Sequence, residues 1–279
     1  MIWAMDLDLR RVRYFVAVAE HLHFRRAAEA IHIAQPALSR QIRALEKDLG
    51  VALFDRDQRS TTLTAAGRQL LEDAPALLAG ADAAWRRVQR VGRGTHRLVV
   101  GFRAGITVTA ATRAFAEIRP DVTVDVVRLE WDDQEELLRS GRIDVGFVRR
   151  PIDERGLRLI PLFTEDRLAA LPASHPLARR RTLRTADLAD ERHLRYYETA
   201  PGAEAPLRSV EEKLEHVASG RGIIVLPRSA TAYYQRPDVK YIKVVDAEPD
   251  EVLLASEAGR RSKILTDFLA AARDAVSAG

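Results

Sequence analysis

Residues 27–67 read AAEAIHIAQPALSRQIRALEKDLGVALFDRDQRSTTLTAAG, and this stretch decides the architecture of the first third of the chain. Its centre predicts a helix from Pro36 to about Leu49. Proline at the first helical position costs nothing, because the N–H it lacks would have no partner inside the helix. Leu38, Ile42, Leu45 and Leu49 follow a 4-3-4 spacing and make one apolar stripe, while Pro36, Arg40, Arg43 and Lys47 fall on the opposite side. Gly50 suits a left-handed cap at the end. Upstream, Val12, Phe15, Val16 and Ala19 repeat at helical spacing between Leu9 and Glu20. A short helix follows from about Arg25 to Ile31, where Ala27, Ala28 and Ala30 permit close contact, and His32-Ile33-Ala34 forms the turn. A small-residue helix, a tight turn and a helix aiming arginines outward make a helix-turn-helix pattern. Downstream, residues 51–54 and 61–64 predict two short strands around a polar turn.

That run resembles, over some sixty positions, the DNA-binding domain of LysR-type transcriptional regulators. The resemblance implies a winged helix-turn-helix on double-stranded DNA, with the N-terminal turn of the third helix in the major groove. It puts Gln35, Pro36, Ser39 and Arg40 at base- and phosphate-contacting positions, with Arg43 on the same outward side, and it assigns Arg56 and Arg59 to the wing. The chemistry suits those roles. Glutamine hydrogen-bonds adenine edges, arginine forks onto guanine, and backbone N–H groups near Pro36 meet phosphate. Phe24 departs from the small polar residue usual in the family, and Arg25 and Arg26 stand ready to replace a lost backbone contact. His21, His23 and His32 lie close in sequence but lack zinc spacing, so no metal is expected.

From Ala65 to Gly92, apolar or small residues recur at Leu70, Ala74, Leu77, Ala81, Ala84, Val88 and Val91. This 4-3 alternation suits pairing with a second copy, and the resemblance implies a homodimer or homotetramer built through this linker helix. Pro75 is expected to bend or weaken its first turns.

Beyond Gly92-Arg93-Gly94-Thr95 the rhythm changes. Strands are predicted at 97–102, 122–129, 143–148, 167–171, 239–245 and 251–256, with helices at 107–118, 132–140 and 263–276, and a second unit begins after 159–162. Strands alternating with helices imply parallel sheet in doubly wound α/β units. SVEEKLEHVASGRGIIVLP, from Ser209, resembles the helix-Gly-strand step of the same family's second subdomain. The expected fold is therefore a winged helix-turn-helix (1–64), a linker helix (65–94) and a two-lobed α/β effector domain like the periplasmic binding proteins (95–279). Lobe 1 is expected at about 95–160 and 231–279, and lobe 2 at about 161–230. Ligands in open α/β sheets sit beyond the carboxyl ends of strands. That rule selects Arg103, Gly105, Thr107, Trp131, Phe147 and Arg149 from the first lobe, with Tyr196 and Tyr197 from the second. Two arginines beside a helix N-terminus favour an anionic inducer. Eleven residues separate Tyr197 from Ser209, where relatives carry a further helix and strand, so the second lobe reads as trimmed.

The charge agrees with this division. Residues 1–94 hold 15 Lys and Arg against 11 Asp and Glu, whereas the remainder holds 29 of each, so the whole net charge of +4 lies in the first third. A localised basic excess is the footprint of a polyanion-binding module. The absence of cysteine excludes disulfides, thiolate zinc sites and thiol catalysis, and fits a reducing cytoplasm. No apolar run is long enough for a membrane span, and no secretory signal is expected. No nucleophile elbow, P-loop or dinucleotide fingerprint occurs, so neither catalytic residues nor a cofactor are expected. The favoured expectation is a sequence-specific regulator modulated by a small molecule and communicating with RNA polymerase. The alternative is a DNA-binding regulator without a ligand, acting through architecture or a protein partner.

Overall fold

The computed structural model describes residues 7–56, 61–92, 96–194, 207 and 209–277. The chain forms two units, Met1–Trp85 and Arg86–Gly279.

The first unit holds α1 (Leu9–His21), α2 (Phe24–Ala30), α3 (Gln35–Leu49), β1 (Phe54–Arg56), β2 (Thr61–Leu63) and most of α4 (Ala65–Gly92). Local chemistry sets the boundaries. The Asp8 carboxylate accepts the Arg10 N–H at 2.9 Å, and His23 Nδ1 accepts the Arg26 N–H at 3.4 Å, so each satisfies an orphan donor at a helix start. Gly50, at φ +69°, closes α3 as its composition predicts. Leu38, Ile42 and Leu45 are fully buried against Phe15, Val18, Ala27 and Ala28. Leu49, expected in the same stripe, is exposed. Phe24 packs edge-on to Phe54 with ring centroids 5.7 Å apart, which gives the unusual aromatic a structural role. Gly67 is required for packing, since a Cβ there would lie 2.1 Å from the Leu53 carbonyl oxygen. α4 is helical from Ala65 to Gly92 with Pro75 inside it.

The second unit contains two sheets. The first has the order β4-β3-β5-β11-β6, built from β3 (Arg97–Arg103), β4 (Thr123–Leu129), β5 (Val145–Arg149), β6 (Leu157–Glu165) and β11 (Asp250–Glu257). β3 runs parallel to β4 and β5, whereas β11 is antiparallel to both β5 and β6, so the sheet is mixed rather than wholly parallel. α5 (Thr109–Ile118) and α9 (Lys263–Ser277) cover one face, with Phe115 and Phe147 edge-on to Phe268 at 5.3 and 6.4 Å. α6 (Gln134–Arg139) lies in the β4–β5 connection.

The second sheet has the order β8-β10-β7-β9, from β7 (Arg167–Pro172), β8 (Thr182–Leu183), β9 (Ile224–Pro227) and β10 (Val239–Val244), with α7 (Val210–Ala218) and α8 (Arg228–Tyr233). This corrects the expected lobe limits. β10 pairs antiparallel with β7, so the chain returns to the first lobe only between Val244 and Asp250, not near residue 231. The outward crossing is likewise later than residue 160, because β6 stays in the first sheet to Glu165. Short α8, immediately after β9, was absent from the sequence expectation.

Candidate DNA interface and effector cleft

On α3, Gln35, Pro36, Arg40 and Arg43 are exposed and Ser39 is half-buried, while the opposite stripe supplies core. The helix is fixed from behind. Arg11 on α1 donates to the Gln41 side chain at 3.2 Å and to the Asp48 carboxylate, and the Glu46 carboxylate accepts the N–H groups of Leu53 and Phe54 at 3.0 and 3.3 Å. Helix and wing base are thus one rigid piece presenting a basic face. Arg25 is engaged by Glu29 at 3.0 Å, which leaves less of its charge for a phosphate. The Arg56 side chain and Arg59 lie outside the described residues. Among the described residues no group of three or more His, Asp or Glu is placed to hold a metal, and His23 is spent as a cap.

Between the two lobes of the second unit lies a cavity of about 220 Å³, lined by Arg103, Ala104, Trp131, Arg149, Arg150, Pro151, Arg167, Val210, Val225, Leu226, Pro227, Ala230 and Asp250. Three sequence-selected residues therefore meet here. The buried Arg103 guanidinium lies 4.9 Å from the Trp131 ring centroid and donates to the Leu129 carbonyl at 3.4 Å.

Arg149 is placed differently from the expectation of a ligand contact. Its Nη1 donates to the Ala104 carbonyl (2.9 Å), and its Nη2 donates to Glu165 Oε1 (2.9 Å) and Ser229 Oγ (2.7 Å). Its Nε lies 2.9 Å from Asp250 Oδ2, and Asp250 is held in turn by Arg167 at 2.8 Å. Ser229 passes the network on, donating from its hydroxyl and its N–H to Glu165 at 2.9 and 2.6 Å. Burial pushes the Asp250 carboxyl up in pKa, and Arg149 and Arg167 oppose that shift. Glu165 and Asp250 stand at the two strand crossings, so this network ties both crossings to α8 and braces the lobes. The helix-terminus argument for Arg149 selected a cation whose charge is already met by carboxylates.

Gly105 is a packing point. At φ +82°, a Cβ there would meet Ala230 Cα and N at 2.5 Å, so only glycine lets this loop touch the backbone of α8. Phe147 lies in the sheet–helix core, away from the cavity lining, because two residues back from the strand end on the same face is already interior. Thr107 is exposed and does not line the cavity. Tyr196 and Tyr197 lie outside the described residues.

A second interlobe clasp joins Arg128 of β4 to both oxygens of Glu211 on α7, at 3.1 and 3.2 Å. The Tyr234 hydroxyl also donates to Glu211 at 3.1 Å. The paired Arg128 holds the Glu211 carboxyl down at about 2, against the ordinary glutamate value. On the same helix, Lys213 is completely buried. Neither clasp nor lysine was singled out in the sequence, because their partners lie far along the chain.

Comparison with known proteins gives this geometry a context. Residues 9–68 match the bacterial regulatory helix-turn-helix family of lysR type, and residues 90–209 match the LysR substrate binding domain. The chain is 32% identical to the probable cat1 operon transcriptional activator of Acinetobacter lwoffii over 285 residues, covering 93% of each protein. It is 40% identical to the Hca operon transcriptional activator HcaR of Escherichia coli K12 over 185 residues, a match spanning 62% of HcaR and 65% of this chain. Among solved structures, CbnR, a LysR family transcriptional regulator, is similar at a TM-score of 0.62 with 27% identity, over 96% of this chain and 99% of that one. Full-length CbnR complexed with its target DNA is similar at 0.60, with 28% identity and the same coverage. On the near full-length match to the Acinetobacter activator and both domain matches, this chain belongs to the lysR family of bacterial regulatory helix-turn-helix proteins.

Proposed function

We propose that this chain is a sequence-specific DNA-binding transcription regulator whose promoter occupancy responds to a small molecule held between the lobes of its second unit. The observation that carries the reading is α3: one face fully buried, the other presenting Gln35, Pro36, Arg40 and Arg43 to solvent on a braced support. Ser39 sits at the edge of that face, and Arg56 and Arg59 supply the wing contacts. Phosphate contacts position such a module, and Gln35 and Arg40 read base edges.

The working form is a homodimer. Leu77, Trp85 and Val88 are exposed large apolar groups on α4, and Ala81 and Ala84 allow close approach of a second helix. Two recognition helices on one palindrome raise affinity without new contacts per module. A pair of dimers contacting RNA polymerase, in the cytoplasm, completes the reading. No helix among the described residues is long and apolar enough to cross a membrane. In the cleft, Arg103 and Trp131 are the first-lobe ligand contacts, and Arg149 positions the lobes that hold them. Inducer occupancy shifts the lobes, and with them the subunits and the DNA bend.

A footprint on the DNA upstream of the chain's own gene tests this, repeated with a panel of small carboxylates and their amides. The reading expects protection of an imperfect palindrome whose length or bend changes with at least one compound. Protection that no compound alters favours a regulator acting through architecture alone.

A further inference from the structure

Among the described residues, the second lobe gives the interlobe cavity an apolar wall and one charge. Val210, Val225, Leu226, Pro227 and Ala230 form the wall, and Arg167, at the start of β7, carries the charge. Arg167 is only partly engaged. Its Nη2 donates to Asp250 Oδ1 at 2.8 Å, its Nε is buried without a hydrogen-bond partner, and 38% of its side chain stays exposed. Two arginines of the first lobe are more fully committed. Arg149 spends every nitrogen on Ala104, Glu165, Ser229 and Asp250, and Arg150 spends Nε and Nη1 on Glu251 and Glu154. Arg103 donates to Leu129 and lies over Trp131, both in its own lobe. We propose that Arg167 is the second lobe's anchor for the effector, that it takes a carboxylate carried on a compact apolar body, and that this carboxylate competes with Asp250 for the guanidinium. This rests on the regulator reading and names the ligand class and the contact that registers its arrival.

The chemistry follows from what each partner leaves open. Asp250 has both oxygens taken, Oδ1 by Arg167 and Oδ2 by Arg149. A guanidinium presents several N–H donors in a planar fork, so one bond to Asp250 leaves Arg167 capacity for a second carboxylate. When Arg167 turns toward a ligand, Asp250 keeps Arg149, and no carboxylate is stranded in the interior. Arg167 belongs to β7 of the second lobe and Asp250 to β11 of the first, so their bond is a tie between the lobes. A ligand that draws Arg167 away loosens that tie, while Ser229 and Glu165 hold the other. Occupancy is thereby converted into lobe geometry. Size narrows the ligand's body. A cavity of about 150 Å³ accepts a benzene ring, so one of about 220 Å³ admits a single ring or a short chain with its carboxylate. The apolar wall suits such a body and would leave a further polar group on it unsatisfied.

The test is titration calorimetry of the full chain at neutral pH with benzoate, hexanoate and cyclohexanecarboxylate, each beside its amide. It compares the unaltered chain, Arg167→Met and Asp250→Asn. Both variants break the same ion pair, so a merely structural role moves ligand affinity the same way in each. An anchor moves it in opposite directions. At least one acid should bind the unaltered chain about tenfold or more tighter than its amide. Arg167→Met should weaken that acid to the level of the amide. Asp250→Asn should tighten the acid severalfold, because Arg167 is released to the ligand, and leave the amide nearly unchanged. If one variant fails to fold, the other and the acid–amide comparison on the unaltered chain decide. Acids no tighter than amides, an acid preference kept in Arg167→Met, or both variants weakening the acid alike would overturn the anchor. If no acid binds while operator protection persists, the anchor is wrong and the regulator reading stands. Loss of operator protection by the unaltered chain would sink that reading as well.

Discussion

Replacing Arg149 by methionine should unfold the effector-binding unit well before the DNA-binding unit. The Arg149, Glu165 and Asp250 side chains are only 6%, 9% and 7% exposed, so their charges have little water to turn to. Removing Arg149 leaves Glu165 buried without a cation and Asp250 with Arg167 alone, at a cost of about 3–5 kcal/mol. Ser229 and the Ala104 carbonyl lose their donor in the same step. For a unit the size of Arg86–Gly279, each kcal/mol moves the midpoint by about 2–4 °C, so the second unit should melt roughly 10 °C earlier. Calorimetric melting of the full chain is the assay, and the two units should appear as separate components of the trace. Adding Glu165→Gln and Asp250→Asn to Arg149→Met should restore much of the loss, since the damage comes from stranded charge. A loss below about 1 kcal/mol, or no recovery in the triple variant, would refute the argument that these residues brace the crossings.

Gly67→Ala should destabilise the first unit by about 3 kcal/mol or more, because the new Cβ meets a backbone oxygen that cannot step aside; urea denaturation checks this. Gly105→Ala should lower the melting point of the second unit while leaving operator affinity in the absence of ligand within about twofold, since the clash with Ala230 lies wholly in that unit. The buried Lys213 predicts a stability slope. Its amine is held near 6 in the fold against 10.5 when free, so the unfolded chain binds more protons between those values, and stability rises with pH across that window. Each unit of depression costs about 1.4 kcal/mol, and even a third of it gives Lys213→Met about 2 kcal/mol of added stability at pH 7. Melting curves from pH 6 to 9 should show the slope in the unaltered chain and a flatter one in the variant.

How much of this was legible in the sequence depended on range. α3 could be read from spacing alone, because Leu38, Ile42 and Leu45 face a local core and Gly50 marks the end. The cleft could be located but not furnished. The strand-end rule found Arg103 and Trp131, yet it also selected Phe147, since position along a strand does not reveal how far the covering helices extend. It selected Arg149 as a ligand contact because its partners, Glu165, Ser229 and Asp250, come from three later segments whose meeting no local pattern encodes. The return to the first lobe was placed too early for the same reason: β10 looks like any strand until its pairing with β7 is known. Lys213 carried no signal, since a lysine in EEKLEH reads as solvent-facing until the helix is docked.

The most direct test of the account is the operator affinity of the full chain, measured by fluorescence anisotropy at several salt concentrations for the unaltered chain, Arg40→Ala, and a control at exposed Arg221 of the second unit. The account predicts that Arg40→Ala costs about 1–3 kcal/mol on the operator, with discrimination lost at one base position in each half-site, while Arg221→Ala binds as the unaltered chain does. Equal operator affinity for Arg40→Ala and the unaltered chain would contradict the placement of the recognition helix, and with it the reading of the first sixty-odd residues on which the functional argument stands.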